Sequence, residues 1–151
     1  MQPIRAKYRN LSLLLFSGLC LHLHVHAQFQ LRIQVEGLRN YKGQLLLSLF
    51  NQAEGFPDQP EKSFRQMKIA LHASQQPEGV WQDLPAGFYA VALLHDEDAD
   101  GRIDVNWLGI PTEGVGISTR KKMLWGKPTF PSASFYLSHD TTIVIRVHYL
   151  L

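Results

Sequence analysis

The chain is short of cysteine, of charge of one sign, of long apolar runs and of helical periodicity, and each shortage excludes a class of protein. Its one cysteine, Cys20, lies inside the N-terminal apolar stretch, so the rest of the chain forms no disulfide and offers no thiol to a metal or redox partner. Arg5, Lys7 and Arg9 account for the basic surplus, because without them 15 Lys and Arg fall to 12 against 13 Asp and Glu. A domain so close to neutral lacks the footprint of a nucleic-acid binder. No basic amphipathic stretch marks a helix lying on a membrane, so neither partner is expected. No serine sits in a G-x-S-x-G elbow and no H-E-x-x-H is present. Gly114-Val115-Gly116 lacks the third glycine and the strand-to-helix setting of a phosphate loop. The reading is a protein that is not an enzyme.

The apolar run from Leu11 to Leu23 has 13 residues, fewer than the roughly 20 that a membrane-spanning helix needs. Basic residues precede it and Val25-His26-Ala27 follows, so it reads as a secretory signal cut after Ala27. Leu19 stands where a lipid-modified cysteine would want a small residue before it. The expected organisation is a signal peptide over residues 1–27 and one domain over 28–151, exported to the periplasm or the extracellular space. A domain of that length buries more than roughly 60% of its unfolded surface and needs no covalent staple.

What is present is alternation. Phe29, Leu31, Ile33 and Val35 share one side of a strand against Gln30, Arg32, Gln34 and Glu36, and Leu45, Leu47 and Leu49 do the same after a loop over 37–43. These two strands are expected to pair. Phe64 to Ala73 alternates again, Val80 to Leu84 is short, and Pro85-Ala86-Gly87 makes a tight turn into the continuous apolar run from Phe88 to His95. That run predicts a central strand, covered on both faces. Ala133–Leu137 and Thr141–Tyr149 read as a terminal hairpin. Ile33, Leu47, Val91, Ile145 and Val147 are the predicted core. About seven short strands with Gly/Pro turns and no 3.6-residue period predict an all-β fold, an antiparallel β-sandwich.

Residues 96–104 pack in five carboxylates, Asp96, Glu97, Asp98, Asp100 and Asp104. Two like charges at about 4 Å repel by about 1 kcal/mol in bulk water and by several times that at a protein surface, so such a loop calls for a cation or an open, solvated tip. The spacing matches the first nine positions of a calcium loop. Asp96, Asp98 and Asp100 would converge as the chain curls, Gly101 permits the turn, the Arg102 carbonyl adds an oxygen and Asp104 reaches the ion. Ile103 would pin the loop to the core. The closing bidentate Glu is replaced by Trp107, leaving Glu113 or Asn106 to complete the shell. The candidate calcium ligands are thus Asp96, Asp98, Asp100, Arg102, Asp104 and Glu113, and the other reading of the same residues is a solvated, Asx-capped turn.

Of the remaining groups, His95 ends the central strand beside Asp96 and reads either as a strand-capping structural residue or as the base of an undetected hydrolase. Arg120, Lys121 and Lys122 read as a solvated charge run. Trp81, Trp107 and Trp125 read as core or loop anchors ahead of a sugar-stacking platform.

GLRNYKGQLLLSLFN, the Gly55-Phe56-Pro57 loop, WQDLPAGFYAVALLHDEDADGRIDVNWLGIPTEGVG and FPSASFYLSHDTTIVIRVHYL together resemble the exported bacterial family catalogued as domain of unknown function 2141. The most specific parts are Leu84 to Tyr89, His95-Asp96, and Gly109 to Gly114. The resemblance implies a seven-stranded, prealbumin (transthyretin)-like sandwich and brings no activity with it. The expected role is a calcium-bound binding or accessory module for a protein or glycan ligand outside the cytoplasm. The competing roles are a metal-free envelope or protein-interaction domain and the hydrolase.

Overall fold

Alternation gives each strand one apolar face, and two sheets bury such faces against each other. The computed structural model describes residues 27–118 and 127–151, so the N-terminal apolar run, the Arg120–Lys122 cluster and Trp125 lie outside the described residues. Within them the strands are β1 (Gln28–Glu36), β2 (Gln44–Phe50), β3 (Arg65–Ala70), β4 (Glu78–Pro85), β5 (Gly87–Asp96), β6 (Gly114–Ile117), β7 (Phe135–Leu137) and β8 (Thr141–Arg146). A 3₁₀ turn at Pro60–Lys62 and the one-turn helix α1 (Phe130–Ala133) complete the order. One sheet has the order β4-β1-β8, and the other runs β3-β2-β5-β6 with β7 also pairing with β5.

This is the expected sandwich, with three corrections. Eight strands are described rather than seven. The added one, β6, carries glycine at two of four positions, a composition that weakens strand propensity. Glycine is needed there because a Cβ on Gly114 would come within 2.5 Å of Val147 and Tyr149 side-chain atoms, and one on Gly116 within 2.8 Å of Ile145. Second, β1 and β2 do not pair. The loop over 37–43, with Gly37 and Gly43 at φ +81° and +65°, carries the chain from one sheet to the other. Alternation defines a strand's faces and is silent about its neighbour. Third, the last two strands are not a hairpin. β7 joins β5, and β8 lies parallel to β1 in the opposite sheet, from Leu31↔Thr141 to Glu36↔Arg146, so the sandwich is not wholly antiparallel.

The expected core is buried: Ile33, Leu47, Val91, Ile145 and Val147 all lie in one cluster between the sheets, with Trp81 and Leu84. A second, smaller cluster covers the outer face of β5, where Phe50, Phe56, Ala90, Ile117 and Ala133 pack together. The Phe56 ring meets Phe50 edge to face with centroids 5.3 Å apart, so the Pro/Gly-rich loop after β2 tucks a ring under the sheet. β5 is central, hydrogen-bonded to β2, β6 and β7, and it ends at the acidic loop.

Candidate metal centre

Sheet register builds this site. Gln44 of β2 pairs with Asp96, and His95 of β5 pairs with Gly114 of β6. Asp96 therefore sits between Gln44 on one side and, one residue beyond the β5–β6 ladder, Glu113 on the other. Gly43 lets the two chains approach. A Cβ there would lie 2.0 Å from the Asp96 carbonyl oxygen, and its positive φ is costly for other residues.

Asp96 is fully buried (0% exposed). Its Oδ2 accepts from Gln44 Nε2 (2.7 Å) and the Gly101 N–H (2.9 Å), and its Oδ1 accepts from the Asp100 N–H (3.2 Å). Burial alone would raise its pKa, but the hydrogen bonds from Gln44 and the loop backbone outweigh it and hold the carboxyl below its ordinary value. Glu113 is 4% exposed, and it bridges the loop by accepting from the N–H groups of Glu97 (2.8 Å) and Asp104 (3.2 Å). Here burial prevails. The two backbone donors lower the pKa, Asp96 and Asp104 repel the charge, and the net result is a carboxyl pushed above its ordinary value.

Asp98 completes the constellation. It is exposed, and its Oδ1 accepts the Asp100 N–H at 3.1 Å. One carboxylate oxygen from each of Asp96, Asp98 and Glu113 lies within 4.8 Å of the other two, an arrangement that can hold a metal ion. Oxygens on opposite sides of a calcium ion are about 4.6–5.2 Å apart, so the spacing fits a shared hard cation. Among the described residues, no salt bridge engages any of these three carboxylates.

The other sequence candidates fall around this triad. Asp100 is exposed, and its Oδ1 accepts the Arg102 N–H (2.7 Å) in an Asx turn. Arg102 and Asp104 are exposed on the rim, and Asp104 meets Glu113 through its backbone N–H rather than its carboxylate. Asn106 shapes the following hairpin, its Oδ1 accepting from the Leu108 and Ile110 N–H groups at 3.0 and 2.9 Å. The loop is thus Asx-capped and acid-convergent at once. Ile103 and Trp107 do not anchor it. Both are exposed, and Trp107, at 89%, lies on a small hairpin that the segment after Asp104 forms by itself.

His95 is fully buried, with Nε2 2.9 Å from the Lys42 carbonyl oxygen and Nδ1 2.6 Å from the Tyr149 hydroxyl. The carbonyl can only accept, so Nε2 carries a proton, and in the neutral ring Tyr149 donates to Nδ1. The same hydroxyl accepts the Arg39 N–H (3.1 Å), while Arg39 Nε donates to Glu97 (2.7 Å) and Arg39 caps the Tyr149 ring at 4.5 Å. His95 therefore ties the loop over 37–43 and the C-terminal segment to the strand that leads into the acidic residues. Sequence reasoning missed Gln44, Gly43 and Arg39 as supports, since no local pattern links them to a loop more than fifty residues away.

The family model described as "uncharacterized protein conserved in bacteria", domain of unknown function 2141, matches residues 33–145. The chain belongs to this family, whose matched region takes in all or part of every described strand and the whole triad. Neither a curated protein nor a solved structure matches the chain.

Proposed function

We propose that this chain is an exported, non-catalytic β-sandwich module that binds one calcium ion at the β5–β6 end and serves a binding or accessory role. One observation carries the reading: two buried carboxylates, Asp96 and Glu113, converge with Asp98 on a point where no described basic side chain balances them. Their hydrogen bonds bring no positive charge to offset the repulsion among the three carboxylates, and a divalent cation turns that repulsion into attraction. Calcium suits the donors better than magnesium. It accepts six to eight oxygens at about 2.3–2.6 Å in irregular geometry, whereas magnesium demands a small octahedron and keeps its waters. Export is supported by the basic start, the short apolar run and the Val25-x-Ala27 cut site. The sealed position of His95, both ring nitrogens engaged, favours a positioning role over an acid–base one.

A melt of the chain from Gln28 onward tests this. Millimolar calcium should raise the melting temperature and equal magnesium should raise it far less; equal rises, or none, would remove calcium from the account.

A further inference from the structure

Where β5 runs out into the acidic loop, successive side chains still alternate between two sides. Asp96 and Asp98 share one side, where both accept the Asp100 N–H, at 3.2 and 3.1 Å. Glu97 lies on the other with His95, its Oε1 4.0 Å from His95 Nδ1. It is the one acid of the loop outside the candidate ligand set, and its partner comes from the loop over 37–43. Arg39 Nε and Nη2 both lie 2.7 Å from Glu97 Oε1, and Asn40 Nδ2 donates to Oε2 at 2.9 Å. The same guanidinium also reaches the other arm of the site. Its Nη2 donates to the Thr112 carbonyl at 3.2 Å, one residue before Glu113.

One planar group therefore spans both arms. It grips the residue between Asp96 and Asp98 and the residue next to Glu113, and so governs how far apart those carboxylates stand without bonding any of them. The guanidinium is itself held. The Tyr149 ring lies 4.5 Å from its Cζ, and the Tyr149 hydroxyl accepts the Arg39 backbone N–H at 3.1 Å. A rigid fork serves two acceptors at fixed angles, whereas a lysine ammonium is a point charge on a flexible stem.

We infer that Arg39 is the positioning residue of the calcium site, setting from outside the coordination shell the separation between the Asp96 and Asp98 arm and the Glu113 arm. The inference rests on the calcium reading above. Position and charge predict opposite signs. A guanidinium repels a neighbouring cation and neutralises Glu97, so on charge alone its removal would tighten calcium binding. Loss of a spacer weakens it, and removal of outer-sphere partners costs metal sites about 10–100-fold.

The test is a calorimetric titration of calcium into the chain from Gln28 onward, unchanged and with Arg39→Lys or Arg39→Gln, each run well below its melting temperature in chelator. Arg39 is part-exposed and outside the core clusters, so the milder Arg39→Lys keeps the test open if Arg39→Gln melts too low. Luminescence lifetimes of bound europium count the waters left on the ion. Expected are at least tenfold weaker calcium binding in both variants and an additional coordinated water on europium. Wild-type affinity in Arg39→Lys, tighter binding in Arg39→Gln, or weaker binding with an unchanged water count would overturn the positioning role and leave the metal reading standing. Absence of calcium uptake by the unchanged chain would overturn both.

Discussion

Glu113 holds two backbone N–H groups of the acidic loop while two other carboxylates repel it, so Glu113→Gln separates its architectural role from its electrostatic one. In the absence of calcium the amide oxygen still accepts one N–H, and the amide nitrogen faces the other. A buried donor left unmade costs about 1–3 kcal/mol, and relief of the repulsion offsets part of it. The change in calcium response is independent of that balance. At a hundredfold excess over Kd, calcium stabilises the native chain by about 2.7 kcal/mol. For a domain of this size the unfolding entropy is about 0.26 kcal/mol/K, which makes the rise in melting temperature about 10 °C. Loss of an outer-sphere partner alone weakens metal sites about 10–100-fold. A direct ligand should cost no less, and at the same calcium concentration the variant's rise falls to about 2–5 °C. Differential scanning calorimetry of both proteins, with calcium and with chelator, reads the four temperatures needed. A variant that keeps the full calcium rise would show that Glu113 is not a ligand, whatever its calcium-free stability.

Gly43→Ala should lower the urea midpoint sharply and blunt the calcium response, since its Cβ would fall on the Asp96 carbonyl and strain at such a backbone angle alone costs about 1–3 kcal/mol; an unchanged midpoint would show that the loop contact is soft. Leu47→Ala should cost about 2–5 kcal/mol in urea unfolding, since this core side chain is almost fully buried. Tyr149→Phe leaves His95 Nδ1 without its donor and the Arg39 N–H without its acceptor, and should cost about 1–3 kcal/mol by the same assay. The pH dependence has two signs. Asp96 and Glu97 are held below their ordinary values, so their contribution is present above the ordinary carboxylate range and lost as pH falls below it. Glu113 is raised, so its contribution is present below its ordinary value and lost as pH climbs through the raised one. Calcium requires the deprotonated form, so its stabilisation should grow as pH rises through the Glu113 titration; a calcium-induced shift independent of pH in that window would contradict the assignment.

Alternation made the faces of β1, β2 and β8 legible, because period-two patterning follows directly from burial on one side of a pleat. Partners were not legible. Leu31 and Leu47 have the same local pattern whether their strands pair or face each other across the core, and they face each other. β6 was hidden because the close approach of Val147 and Tyr149 selects glycines over strand-favouring side chains. At the site, the repeating aspartates and Gly101 marked the loop, and Glu113 was visible as a spare acid. Its union with Asp96 comes from the β5–β6 register, a long-range property that spacing within the loop does not encode. Ile103 and Trp107 were misplaced for the converse reason: apolar character predicts burial on average, and the acidic loop and the hairpin after it carry these two side chains outward.

The most direct measurement is a calorimetric titration of calcium into the chain from Gln28 onward, repeated with Asp98→Asn, which can keep the Asx-turn acceptor while removing the charge. Expected are one ion per chain with a dissociation constant on the order of 10⁻⁴–10⁻³ M, and binding at least tenfold weaker in the variant. No heat at millimolar calcium, or an identical isotherm from Asp98→Asn, would contradict the claim that the Asp96, Asp98 and Glu113 carboxylates share a calcium ion.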